Sequence, residues 1–359
     1  MFKNKKIIKL LILAVIVLAI KIFSLFPEAV EKIYSQVLYT YISRLLRISL
    51  GFIPFSVGDI LYTILGLWLI YSIIKFLITF FKTKQKKLLL RKSVYPFLST
   101  LLYIYIFFYT LWGLNYSRLG MAQQLDLNVQ DEYTTEELIS LTSELIQKTN
   151  AFRKDIQHKS IDTSFHTLKQ QAIRAYENTA EELPFLAYKN QSIKIPVYNV
   201  LGNYLGYSGY INPFTNEAQV NTKQPSFLLP FVICHEIAHQ LGYGTEDEAN
   251  FIGYLAAKNS ENVYFHYSTY FQLYRYANRE LFYRDSLLAK AQYETLDTLV
   301  KSDIIYMEEF FKKYENPYEK YVTMMYNRFL QSNNQPQGIA TYSQVTAWML
   351  AYRKKYQKL

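Results

Sequence analysis

Three runs of about twenty mostly apolar residues lie within the first 114 positions: 7–26, interrupted by Lys21; 60–81, holding Lys75; and 95–114. Twenty helical residues rise about 30 Å, the thickness of bilayer hydrocarbon. A soluble core does not call for three such segments in succession, so this region is expected to form three transmembrane helices. The two lysines lie toward the ends of their runs, where their stems can carry the ammonium to the polar interface. The first run is long for a signal peptide, and Ser24-Leu25-Phe26-Pro27 lacks the small-x-small pattern of a cleavage site. It reads as an uncleaved anchor.

Charge supplies the expected orientation. The chain carries a formal net charge of +10. Lys3, Lys5 and Lys6 precede the first run and Lys9 stands at its start, and Lys82, Lys84, Lys86, Lys87, Arg91 and Lys92 fill the loop between the second and third. The remainder is nearly balanced, residues 115–359 holding 24 Lys plus Arg against 26 Asp plus Glu. By the positive-inside rule the N-terminus and the 82–92 loop are cytoplasmic in a bacterial inner membrane, and everything after the third span is periplasmic or extracellular. The basic excess therefore belongs to a lipid bilayer partner, and no basic stripe on the large C-terminal region points to nucleic acid. Between the first two spans, residues 28–50 repeat apolar side chains at helical spacing: Val30, Ile33, Val37, Tyr41, Leu45 and Ile48. This pattern suits an outer helix lying in the membrane interface or against the outer domain, or a connector packed on the spans.

Residues 115–359 read as one mostly helical α+β domain with a small sheet. Helical periodicity covers 134–150 and 165–183, with Thr134 or Thr135 as N-cap and Pro184 as a stop. The stretches 193–197 and 217–221 suit short strands, and the segment between them is rich in turn formers and aromatics. Mainly helical sequence follows to the end. The single cysteine, Cys234, precludes an intramolecular disulfide and reads as a small buried apolar residue.

The chemistry-bearing motif is His235-Glu236-Ile237-Ala238-His239, of the form H-E-x-x-H. Positions i and i+4 share one helix face, so both imidazoles can reach a single zinc ion at about 2.0–2.1 Å. Glu236 then stands beside the metal as a general base for an attacking water. Pro230 suits the first helical turn and Gly242 its end. A catalytic zinc takes a third protein ligand, and three acids follow the glycine turn. Glu246 is the first choice, Glu248 the second and Asp247 the third. Thr245 with Glu248 has the T-x-x-E form of a capping box opening the next helix. A peptide substrate could add to an exposed strand edge near 218–222, where Asn221 is placed to hold its main chain. Tyr207, Tyr210, His266 and Tyr267 are candidates for stabilising an oxyanion or binding substrate.

Glu246 to Asn250 has the form E-x-x-A-N and resembles the E-x-x-A-D segment of zinc peptidases with a glutamate third ligand. That resemblance implies Glu246 as ligand and places Asn250 where an aspartate usually orients a ligand histidine. The chain departs from it in having Asn for Asp and a short gap after His239. Gly242 meanwhile matches the glycine of the metzincin layout, whose third-histidine position is occupied here by Thr245. More widely, the Arg44-Leu45-Leu46-Arg47 segment, the stretch Ile53-Pro54-Phe55-Ser56-Val57-Gly58-Asp59, three N-terminal spans, Gly209-Tyr210-Ile211-Asn212-Pro213-Phe214-Thr215-Asn216-Glu217-Ala218, and the motif through Gly242 resemble a bacterial membrane family catalogued as domain of unknown function 3810. The resemblance covers nearly the whole chain and implies its architecture with a zincin-like domain. The expected activity is that of a membrane-anchored zinc metallopeptidase acting on peptides or proteins of the cell envelope. The alternatives are a non-catalytic zincin-fold binding or assembly protein and a zinc hydrolase of a non-peptide envelope amide.

Overall fold

The computed structural model describes residues 2–129 and 132–359. Its elements run α1 (Phe2–Phe23), α2 (Pro27–Ala29), a π-helical stretch (Val30–Leu38), α3 (Tyr39–Leu50), α4 (Val57–Lys82), α5 (Lys86–Leu111), a 3₁₀ turn (Gly113–Ser117), α6 (Gly120–Gln124), α7 (Thr135–Gln157), α8 (Phe165–Glu182), β1 (Ile193–Lys194), α9 (Asn199–Leu205), β2 (Gly209–Asn212), β3 (Glu217–Val220), α10 (Leu229–Gln240), α11 (Glu246–Ala257), α12 (Val263–Arg284), α13 (Ser286–Glu294), α14 (Thr298–Lys312), α15 (Glu319–Ser332) and α16 (Val345–Tyr356).

Two helices, α4 and α5, are long and apolar enough to cross a membrane. A third span exists if α1 and the 27–50 segment, bent by 97° at their junction, are taken as one unit. α5 begins nine residues before the apolar run that signalled it and ends before Trp112. Hydropathy marks depth in the bilayer, whereas the helix continues through the lysines that flank it. α1 and α5 pack along one another, while no residue of α4's most apolar stretch is buried.

The 27–50 segment buries Val30 of its apolar repeat and turns the rest of that repeat outward. Tyr34, Ser35, Tyr39, Ser43 and Arg47 are buried against the rest of the molecule, while Ile33, Val37, Tyr41, Leu45 and Ile48 face outward. The segment is therefore held through hydroxyl, guanidinium and aromatic contacts and presents its greasy stripe away from the domain.

The C-terminal region builds its core from α7, α8, α10, α11, α12 and α16. α7 starts at a complete capping box, Thr134 accepting from the Glu137 N–H while Glu137 accepts from the Thr134 N–H. The sheet has strand order β1-β3-β2, with β3 parallel to β1 and antiparallel to β2. This corrects the expectation of an edge strand near 218–222. β3 is the central strand, because Gly209–Asn212, inside the segment read as turns, pairs with it. A tight reversal makes that pairing possible: Asn212 Oδ1 accepts from the N–H groups of Phe214 and Thr215, and Asn216 sits at a left-handed φ of 53°. The expected first strand shrinks to two residues, since Pro196 has no N–H for a ladder.

The membrane-side elements are built into this region. Glu217 on β3 accepts from the N–H groups of Val57 at 3.1 Å and Gly58 at 2.7 Å, placing a carboxylate on the positive N-terminus of α4, and it pairs with the buried Lys194. Arg47 donates to Asn216 Oδ1 at 2.8 Å and to the Gln240 carbonyl at 3.0 Å. Tyr39 donates to that same carbonyl at 2.9 Å, and Trp112, just past α5, donates to the His239 carbonyl at 3.1 Å. Arg118 joins Glu31 to the Gly242 carbonyl. The C-terminal end of α10 is thus clamped by residues from both sides of the spans.

Candidate metal centre

α10 is buried almost throughout, and its eleven buried residues include His235, Glu236 and His239. Pro230 occupies its first turn, and Gly242, at φ +90°, turns the chain where a Cβ would strike the Tyr39 ring. One helical turn apart, the two imidazoles lie 4.7 Å between centroids with planes at 89°. His239 Nδ1 is 2.8 Å from the Tyr243 carbonyl. A carbonyl only accepts, so this nitrogen carries the proton and leaves Nε2 with its lone pair for a ligand.

Glu246, the first residue of α11, brings its Oε2 to 3.2 Å from His235 Nε2 and 3.6 Å from His239 Nε2. Donor atoms of His235, His239 and Glu246 all fall within 4.8 Å of one another, and all three residues are buried. Glu246 Oε2 has no aligned hydrogen-bond donor, whereas its Oε1 accepts from the Tyr326 hydroxyl at 2.6 Å. One oxygen is tied back and the other is left facing the two rings. The electrostatics favour positive charge at this point. Burial alone would raise the Glu246 carboxyl, yet the two imidazoles hold it well below the usual range. Burial likewise opposes protonation of both rings; Glu246 nevertheless lifts His239 to about 9, while at His235 burial prevails and its pKa is lowered. Two imidazole nitrogens and one carboxylate oxygen converging in a dry site fit a small divalent cation with nitrogen and oxygen preference. The buried group can hold a metal ion.

Glu236 is buried with Oε2 unpartnered. Burial pushes its pKa up to about 8, with Glu246 adding to the shift and His239 opposing it. Its carboxylate abuts Gly209 at the start of β2, where any Cβ would overlap it. Asn250, one turn after Glu246, donates to the Tyr342 carbonyl at 3.3 Å and lies close enough to His235 to favour its protonated form.

The other acids turn away. Glu248 accepts from the Met121 N–H at 2.5 Å in the field of Arg118, and burial raises its pKa to about 7. It neither joins the histidines nor closes the expected capping box, because Thr245 makes no side-chain cap bond and the Glu246 N–H donates to Gln335 instead. Asp247 accepts from Trp348 Nε1 at 3.0 Å.

The candidate substrate residues are spread out. Asn221 is buried and occupied internally, donating to Asn203 and accepting from the Lys223 N–H. Tyr210 donates to Asp59 at the start of α4, with Tyr207 packed edge-on against it. Tyr267 donates to Asp303, and a ring nitrogen of His266 meets the Ser260 carbonyl at 2.7 Å. What the sequence did not nominate is the wall built by Tyr326, Tyr342 and Trp112. Tyr342 stacks on His235 at 6.4 Å and meets Tyr326 at 3.2 Å between hydroxyls, while the Trp112 ring meets His239 edge-on. Burial, with Glu246 close by, raises both tyrosine hydroxyls well above their ordinary pKa, so they remain donors. Among 34 tyrosines no local pattern marks these two.

The family model described as "Protein of unknown function (DUF3810)" matches residues 34–350. The chain belongs to that family. The match begins in the π-helical stretch and takes in α4, α5, the clamp residues Tyr39, Arg47, Trp112 and Arg118, and the whole His-His-Glu group. No curated protein and no solved structure matches the chain.

Proposed function

We propose that this protein is a membrane-anchored zinc metallopeptidase with a zincin-like domain, hydrolysing peptide bonds at the outer face of a bacterial cytoplasmic membrane. The observation that carries the reading is the buried convergence of His235, His239 and Glu246 beside the unpartnered carboxylate of Glu236. A zinc ion held by those three residues would supply a Lewis acid, polarising the scissile carbonyl and acidifying the attacking water. Glu236 takes the proton as water attacks and returns it to the leaving amine. Its Oε2, buried and without a partner beside the ligand group, is free to carry that proton. Tyr326 fixes the Glu246 carboxylate, the Tyr243 carbonyl fixes the His239 tautomer, and Asn250 stands behind His235. The basic 82–92 loop supports an orientation with the N-terminus in the cytoplasm and the catalytic domain outside.

The purified full-length protein should hold about one zinc per chain, and His239→Ala should lose it. Glu236→Gln should keep the metal and slow hydrolysis of a peptide library by roughly 10²-fold or more. A wild-type chain that binds no zinc when the metal is supplied overturns the reading, as does a Glu236→Gln variant of unchanged activity. Reporter fusions at the C-terminus check orientation, and a fusion active in the cytoplasm reverses it.

A further inference from the structure

The free edge of the sheet lies where the membrane helices meet the site. The Asn221 N–H donates to the Ser208 carbonyl, and Tyr210 and Asn212 pair in register with Gln219 and Glu217. By antiparallel alternation the backbone groups of Gly209 and Ile211 therefore point away from β3. Among the described residues nothing hydrogen-bonds to them on that side, and both residues are half-exposed. The position of this edge is unusual. Gly209 abuts Glu236, Tyr210 donates to Asp59 in the first turn of α4, and Ile211 packs on the cluster containing Trp112 at the end of α5. An extended chain added to β2 would thus run beside the general base and between the outer ends of two spans. Exposed apolar side chains on neighbouring elements also face outward. The α3 stripe with Tyr41 and Leu45 faces out, and so does α9 with Val200 and Leu201, next to Tyr198, whose hydroxyl is 2.6 Å from Thr63 of α4. Along its apolar stretch α4 has no buried residue, which leaves a lateral approach from the lipid.

We propose that the substrate is a polypeptide with its own membrane anchor, bound as an extended strand on the free edge of β2 and cut close to the point where it leaves the bilayer. This rests on the metallopeptidase reading for the cut and on the edge geometry alone for the binding. A four-residue strand spans only about 13 Å, so the scissile bond falls within roughly ten residues of the substrate's anchor.

The test uses full-length protein in liposomes and two probes that share one flexible segment. One probe carries a single apolar span and the other lacks it. Wild-type protein should cut the anchored probe at least tenfold faster, with the cut staying at a fixed distance from the span when ten residues are inserted after it. In parallel, an Ile211→Cys, Glu236→Gln protein is presented with single-cysteine versions of both probes; the one native cysteine, Cys234, is buried and does not compete. Disulfides should form only with anchored probes whose cysteine lies near the span. Equal cutting or equal crosslinking of the soluble probe overturns the proposal, as does an absence of crosslinks in an Ile211→Cys protein that retains metal. Crosslinking of the anchored probe with no cutting of either by wild-type protein upholds the binding mode and overturns the peptidase reading instead.

Discussion

Two helices of this chain are apolar on nearly every side, and their surroundings are opposite. α4 runs 26 residues with no residue of its apolar stretch buried in the protein, while α10 runs 12 residues with eleven of them buried. An apolar circumference says only that a helix avoids water; it leaves open whether lipid or protein replaces the water. Length and the placement of polar groups separate the two. Twelve residues rise about 18 Å, too short to cross hydrocarbon. α10 carries two imidazoles and a carboxylate in its interior, where protein groups can ligate or orient them. In α4 the charged residues Asp59, Lys75 and Lys82 lie toward its ends.

The comparison yields graded expectations. The largest concerns the joint between the two helices: Glu217→Ala would strip the carboxylate from the start of α4 and leave Lys194 buried without its partner. The expected loss is about 3–5 kcal/mol, read from denaturant unfolding in detergent, and an unchanged midpoint would mean that α4 and the sheet are not joined there. Next, Ile233→Ala in α10 should cost about 2–5 kcal/mol as a core truncation, against less than roughly 0.5 kcal/mol for Leu67→Ala on the lipid-facing side of α4. Equal costs for the two would erase the distinction between core and lipid.

The last expectation is a slope with pH. Glu236 is raised from its ordinary carboxylate range to about 8 by burial, so the folded chain retains a proton that the unfolded chain releases. Stability is then lost as pH rises from the unfolded pKa, about 4.3, through the folded value. In chelator-treated protein, Glu236→Gln should flatten that decline, by at most about 1.4 kcal/mol per pH unit. Melting curves of both proteins between pH 5 and 8 measure it, and parallel pH profiles would show that Glu236 does not titrate as its burial implies.

Much of the site was legible because its key residues are close in sequence. His235, Glu236 and His239 fall within five positions, and helical period alone puts the two rings on one face. Glu246 follows after a glycine turn short enough to read. The capping box at Thr134 was legible for the same reason. What failed to read was non-local. The T-x-x-E at Thr245 is a valid local cap, yet the Met121 N–H, brought 127 positions along the chain, takes Glu248 for itself. β3 was expected at an edge because the strand that covers it hides its alternation among glycines and tyrosines. The outer segment is helical as read, and its apolar stripe beyond Val30 faces outward, which fits the membrane-interface reading rather than docking against the domain, where most contacts are polar.

The sequence by itself marked the apolar runs, their basic flanks, the mostly helical domain and all four residues at the candidate centre, with Glu246 ranked ahead of Glu248, all through periodicities and spacings of one or two turns. Only the tertiary structure turned Glu248 away to the Met121 N–H, brought Tyr326 and Tyr342 onto the site, and put the free strand edge between the ends of α4 and α5. Those outcomes depend on which distant donor or ring reaches a given carboxylate or imidazole first, and chain packing decides that where local propensity is silent.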